Sequence, residues 1–174
     1  MTVDANKLDA KMDPTIFREY DIRGIANQDY DARFAFLLGR ALGTRVRKTP
    51  PSAGRSRPAM AVGRDCRLTS DEFAAALGRG IAASGVDVID VGMCPTPLLY
   101  FSLFHFDVDG GVMITGSHNP PEYNGFKICM ERSSIYGDAI ASLRGEIERG
   151  EFAAGDGTVR SELVIPAYRR YCAD

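Results

Sequence analysis

The chain has 174 residues, 45% hydrophobic and 25% charged, and at roughly 150 residues per domain that is one domain with enough apolar material for a core. Twenty-one Lys and Arg against 23 Asp and Glu leave a formal charge of −2, which excludes a global basic field for nucleic acid or an anionic membrane and confines any anion site to a local cluster. No apolar run approaches the roughly 18 residues of a membrane span, and the polar start, Met1–Asp13, lacks a signal peptide's apolar region, so the sequence reads as soluble and cytoplasmic.

In chain order, a polar tail over residues 1–14 precedes a strand-like run, Ile16–Ile25, crowded with Arg18, Glu19, Asp21 and Arg23. Charges in an element that belongs to a core have to be used by something. Phe34, Leu37, Leu38, Ala41 and Leu42 recur at helical spacing, with Gly43 as the expected stop. Arg45–Pro58 carries three prolines and five basic residues and reads as a mobile loop whose charges are solvated. Ala59–Gly63 is a short strand. Thr69 and Glu72 have capping-box spacing, opening a helix through Phe73, Leu77 and Ile81 to Gly85. Val86–Val91 gives the next strand, Pro95 or Pro97 a helix start reaching Phe106, and Val108–Thr115 another strand. This alternation argues for α/β with a largely parallel sheet. Ile140, Leu143 and Ile147 mark a helix closed by Gly150, and Val164–Asp174 a further helix. Cys66, Cys94, Cys129 and Cys172 are too few and scattered for a disulfide framework or paired zinc ligands, and read as plain thiols, most of them packed as small hydrophobes.

In such sheets ligands bind beyond the carboxyl ends of the strands. The loop after Val112-Met113-Ile114 reads Thr115-Gly116-Ser117-His118-Asn119-Pro120-Pro121-Glu122-Tyr123-Asn124-Gly125-Phe126-Lys127. Gly116 relieves the backbone beside Ser117, Asn119-Pro120 imposes a turn, and Gly125 is expected to bend the chain so that Lys127 returns toward the serine. A hydroxyl, an imidazole and an ammonium converge on this reading, although a single loop Ser is usually solvated and a lone His usually structural. Three templates fail. Gly111–Ser117 lacks the Lys of a P-loop. Ser117 is followed by His118-Asn119, whereas a nucleophile elbow needs G-x-S-x-G. His105, at an apolar helix end, and His118 are too few for a histidine metal site. Arg64 and Arg67 flank Asp65 and are expected to fix a loop by ion pairing.

The stretch TGSHNPPEYNGFK resembles the phosphoserine loop of the α-D-phosphohexomutases, in particular the bacterial phosphomannomutase/phosphoglucomutase branch. FREYDIRG (17–24), GRDCRLTS (63–70) and the C-P-T-P run at 94–97 agree with it in order. The resemblance implies a three-layer α/β/α sandwich with a mixed, largely parallel sheet, residues 15–163 forming the first of four domains and 164–174 beginning the helix into the second, with the rest of the enzyme absent from this chain. It implies Ser117 as the residue that gives a phosphoryl group to a hexose phosphate, passes through a hexose bisphosphate and recovers the group. Lys127 and Arg23 are implied as its cations, His118 as a proton mover or phosphate holder, and Tyr20 and Arg23 as substrate-facing. It also implies Mg²⁺ on Ser117, shared with carboxylates of a missing domain. A non-catalytic sugar-phosphate-binding module and a Ser/His hydrolase are the rival readings. The Arg45–Pro58 loop has no counterpart in the resemblance and reads as an insertion.

Overall fold

A computed structural model describes residues 11–51 and 55–173. The strands are β1 (Ile22–Ile25), β2 (Ala59–Arg64), β3 (Asp87–Met93), β4 (Gly110–Ile114), β5 (Tyr123–Met130), β6 (Ser133–Ser134) and β7 (Val159–Ser161). The helices are α1 (Ala32–Val46), α2 (Ser70–Ala82), α3 (Thr96–His105), α4 (Asp138–Arg149) and α5 (Val164–Ala173). One seven-stranded sheet runs in the order β1-β5-β4-β2-β3-β7, with β6 also pairing β5. β4, β2, β3 and β7 are mutually parallel, as expected when helices cross between strands, whereas β5 is antiparallel to both β4 and β1. The α/β sandwich with a mixed sheet is the expected fold.

Side-chain alternation divides the core in two. Val112, Ile114, Phe126 and Ile128 face α1, α2 and α4; Met113 and Cys129 face α3 and α5. On the first face Tyr30, Phe34, Phe73 and Phe126 form a ring cluster with centroids 5.4–6.2 Å apart, in the tilted and edge geometries that add about 0.5–1.5 kcal/mol per pair beyond burial. Burial holds the Tyr30 hydroxyl well above the usual phenol range. α1 starts where Asp31 accepts the Phe34 N–H at 2.9 Å, a cap worth about 1 kcal/mol. α1 and α2 touch backbone to backbone: a Cβ on Gly39 would lie 2.3 Å from Leu77 O, and one on Gly80 2.0 Å from Phe36 O. Gly43 belongs to this contact, buried against Ser84, and the helix runs past it to Val46. The expected stop was a packing position.

Other expectations need correction. The Ile16–Ile25 strand is a 3-10 turn at Pro14–Ile16, a bend in which Arg18 N–H bonds Asp21 O at 2.9 Å, and then β1. Of the polar tail, residues 1–10 lie outside the described residues, while Met12 bridges Tyr30 and Asp13 N–H bonds Asp29 O. Thr69 precedes α2 without capping it through its side chain: its backbone is already helical rather than extended, and its hydroxyl accepts from Asn124 instead. The helix begins at Ser70 and ends before Gly85, which adopts φ +80° two residues past the Ala83 C-cap. Arg45–Pro58 is not a loop of solvated charge. Arg45 lies in α1, and its guanidinium bonds Glu146, Ala139 O and Ser142 on α4. Arg47 reaches Ser84 O and Ala154 O, Arg55 reaches Phe106 O, and Arg57 reaches Asp156 O. Arg45, Arg47 and Arg57 staple this stretch to the C-terminal third and Arg55 ties it to the end of α3, while Lys48 is exposed; residues 52–54 lie outside the described residues. The Gly150 stop of α4 holds, at φ +67°. Cys94 and Cys129 are buried, with thiol pKa values raised by burial, but Cys66 and Cys172 are exposed. All four are free thiols. Among the described residues no helix is long and apolar enough to cross a membrane.

Candidate active site

β4 runs out at Ile114, at the carboxyl end of the parallel strands, and the chain turns back as β5. Residues 115–122 are therefore a hairpin loop, and Lys127 is a strand residue paired with Met113 rather than part of a longer loop. Gly125 does not bend the chain. It lies within β5, where a Cβ would stand 2.3 Å from Ile22 O of β1.

Ser117 sits exposed at the turn with φ +55°, a left-handed conformation that serine rarely adopts and that recurs where surrounding structure holds a functional group. Its N–H donates to Thr115 Oγ1 at 2.9 Å, and its Oγ is 3.3 Å from His118 Nδ1. Behind it Asp65, at the end of β2, accepts from Ser70 Oγ at 2.6 Å, Arg67 N–H at 3.1 Å and Gly116 N–H at 3.3 Å. Burial alone would raise the Asp65 pKa, but these donors and the Thr115 hydroxyl outweigh it, and the carboxyl titrates below its ordinary value. Asn124 Nδ2 donates to Thr69 Oγ1 and Ser70 Oγ, both at 2.9 Å, so the start of β5 is tied to the same network. Arg64 pairs with Asp71 and with Asp90 at 2.8 Å, and Arg67 pairs with Asp65 at 3.2 Å. Arg67 fixes a loop through Asp65, as expected, whereas Arg64, at the end of β2, ties α2 to β3 and makes no pair with Asp65.

The cations gather beside the loop, on the edge formed by β1 and β5. Arg23 is paired with Gly125, placing it on the same sheet face as Lys127 two residues along. Both reach Asp21 Oδ2, Lys127 at 3.2 Å. Arg23 Nη1 also donates to Asn119 Oδ1 at 2.6 Å, which fastens it to the serine loop. Tyr20 stands 71% exposed in the bend before β1. Among the described residues no hydrogen bond or ion pair joins Tyr20, Arg23 or Lys127 directly to Ser117. Arg23 and Lys127 meet at Asp21, and only Arg23 reaches the loop. Asp21, Asp65 and Asn124 were not singled out from sequence as site residues. Asp21 and Asp65 did stand inside the quoted FREYDIRG and GRDCRLTS runs, which was the available signal.

A cavity of about 620 Å³ opens against the carboxyl ends of β2, β3 and β4, walled by Cys66, Leu68, Pro95, Met113, Thr115 and Ser117. Arg23, His118 and Lys127 do not line it. Ser117 thus borders a mainly apolar recess and is flanked separately by the cationic edge.

Among the described residues no group of three or more His, Cys, Asp or Glu is arranged to hold a metal ion. Ser117 offers one oxygen, while Asp21 and Asp65 are committed to cations and N–H donors. Mg²⁺ takes six hard oxygen ligands, and these residues by themselves do not fit it.

Residues 14–154 match the family model described as phosphoglucomutase/phosphomannomutase, alpha/beta/alpha domain I. A phosphomannomutase/phosphoglucomutase of Pseudomonas aeruginosa is 41% identical over 160 residues, covering 92% of this chain and 33% of the relative. A crystal structure of a phosphoglucomutase/phosphomannomutase family protein from Burkholderia thailandensis superimposes with TM-score 0.84 at 40% identity, over 94% of this chain and 36% of that one. A phosphomannomutase-like structure from Thermus thermophilus gives TM-score 0.73 at 29% identity, over 88% and 34%. The chain spans about a third of the length of these relatives. Sequence and fold agree, and the chain belongs to the phosphoglucomutase/phosphomannomutase family, as its α/β/α domain I.

Proposed function

We propose that this chain is the phosphoserine-bearing domain of a hexose-phosphate mutase, an isomerase that moves a phosphoryl group between the 6- and 1-oxygens of mannose or glucose phosphates. The observation that carries the reading is Ser117 itself: an exposed hydroxyl at the end of β4, in a left-handed turn held by Asp65 and Arg67. A phosphoserine bears about −1.5 to −2 charge near neutrality, and phosphoryl transfer depends on cations and positioning far more than on covalent help. Arg23 and Lys127 are the cations beside the loop, and Arg23 has a buried Nε–H without a partner. Asp21 holds both on one face before any anion arrives. His118, 3.3 Å from the hydroxyl, serves proton movement at the sugar oxygen, and exposed Tyr20 meets the sugar. Mg²⁺ is not supported by the donors of this chain alone.

Incubation of the complete reading frame with glucose 1,6-bisphosphate followed by peptide mapping tests the reading, with phosphate expected on Ser117 and none in Ser117→Ala. Phosphate mapped elsewhere overturns it. Labelling of Ser117 by a fluorophosphonate instead indicates a hydrolase, and binding of glucose 6-phosphate without any phosphorylation indicates a non-catalytic module. In a coupled assay this chain alone is expected not to turn over glucose 1-phosphate, because Ser117 by itself does not position a sugar. Activity within about tenfold of the complete reading frame, a barrier difference of roughly 1.4 kcal/mol, contradicts that division of labour.

A further inference from the structure

Arg67 lies between β2 and α2, ion-paired with Asp65. Its guanidinium does more. Nε donates to Asp65 Oδ2 at 3.2 Å, Nη1 to Pro120 O at 2.5 Å and Tyr123 O at 2.9 Å, and Nη2 to Ser117 O at 3.0 Å and Asn119 O at 2.7 Å. A guanidinium has five N–H bonds, and here five acceptors take all of them. No donor remains for an anion. Arg67 is a cation beside the serine, yet it is not built to bind phosphate.

What it does hold is the backbone of the loop. Three carbonyl oxygens of the hairpin loop and that of Tyr123, the first residue of β5, converge on one planar group, an arrangement in which their dipoles oppose one another unless a cation lies between them. One of those carbonyls belongs to Ser117, whose φ of +55° is disfavoured for a side chain with a Cβ. The guanidinium is itself fixed from behind. Asp65 grips it, and Asp65 is gripped by Ser70, so the carbonyls are referred to the end of β2 and the start of α2 rather than to solvent. Gly116 completes the fit, since a Cβ there would lie 2.5 Å from Arg67 Cζ.

We propose that Arg67 is the positioning residue of this site: it locks Ser117 in the left-handed turn and so aims its hydroxyl. The inference rests on the reading of Ser117 as the phosphoryl carrier. A lysine is no substitute, because three donors radiating from one atom do not span carbonyls spread along the plane of a guanidinium.

The test is Arg67→Lys with two readouts. In NMR of the whole chain, the backbone coupling and Cα shift of Ser117 are expected to lose their left-handed values. Amides in 116–123 are expected to exchange at least about tenfold faster while those of α1, α2 and β2 keep their protection. A Ser117 that keeps its left-handed signature overturns the proposal. Should Arg67→Lys fail to fold, Gly116→Ala displaces the guanidinium without removing its charge and has to produce the same change at Ser117; no change there overturns the proposal equally. The second readout is mutase kinetics in the complete reading frame, where Arg67→Lys is expected to lower kcat by about 100-fold with KM within about threefold. A rise in KM at constant kcat makes Arg67 a substrate ligand and overturns the positioning role. If the wild type never takes phosphate on Ser117, the functional reading fails, and the NMR result alone then decides whether Arg67 sets that backbone.

Discussion

Lys127 donates to Asp21 at 3.2 Å across the β1–β5 pair, and the same carboxylate oxygen takes the guanidinium of Arg23. Their side chains are only 28%, 9% and 11% exposed in the order Lys127, Asp21, Arg23. One anion therefore keeps two poorly hydrated cations together. Asp21→Asn should leave them repelling each other, at a loss of about 2 kcal/mol, below the range for fully buried pairs because Lys127 is partly solvated. Inorganic phosphate should then raise the thermal midpoint of the variant more than that of the wild type, since an added anion replaces the missing charge. Equal phosphate responses in the two proteins would show that the pair of cations is not an anion site.

Ser117 offers a second test, independent of chemistry. At φ +55° a glycine is unstrained and an alanine is not, so Ser117→Gly should be more stable than Ser117→Ala by about 1 kcal/mol. Chemical denaturation of both variants measures the difference. Alanine as the more stable of the two would mean that the turn is not left-handed in solution.

The helix contact gives a matched pair. Alanine is preferred to glycine inside a helix by about 1 kcal/mol, but at Gly80 its methyl would lie 2.0 Å from Phe36 O, whereas at Gly78 it would meet only Val88 Cγ1 at 3.8 Å. Gly80→Ala should therefore cost about 2 kcal/mol or more. Gly78→Ala should be neutral or stabilising by up to about 1 kcal/mol. Thermal unfolding of the two variants reads out the opposite signs.

Asp65 sets an acid limit. Its folded pKa lies below the ordinary value of 3.8, so the stability it contributes is complete above pH 3.8 and is lost as the pH falls through the lower folded value. Asp65→Asn should lower stability near neutrality and flatten the decline below pH 3.8. A wild type and a variant with parallel acid limbs would show that Asp65 is not held by its donors.

Much of this architecture was legible in the sequence, and the exceptions share a cause. Periodicity exposed α1, α2 and α4 because one face of each is buried, and the serine loop was visible from its own residues. What periodicity does not carry is the neighbour. Gly43 reads as a stop unless α2 is known to lie against it. Gly125 reads as a bend unless β1 is known to press on it. The hydroxyl of Thr69 looks placed to cap α2, yet its backbone is helical and the hydroxyl turns to Asn124. Arg45 and Arg47 look like solvated charge until the C-terminal third folds over them. The same holds for the site: Asp65 and Arg67 stand together in the GRDCRLTS run, but the carbonyls that saturate Arg67, those of Ser117, Asn119, Pro120 and Tyr123, come some fifty positions later in sequence.

The return of the chain as β5 has one more consequence. Phe126 and Ile128 point into the ring-lined core while Lys127, between them, points to the opposite face with Met113. Because strand side chains alternate, a single residue gained or lost between Thr115 and Glu122 that slipped the pairing by one would carry the ammonium into the apolar layer and turn Phe126 outward. The spacing between serine and lysine is thus a parity constraint. A slip of two leaves the lysine on its face and merely moves it along the strand, whereas a change of one has to be absorbed in the loop or by a bulge if Lys127 is to keep its face.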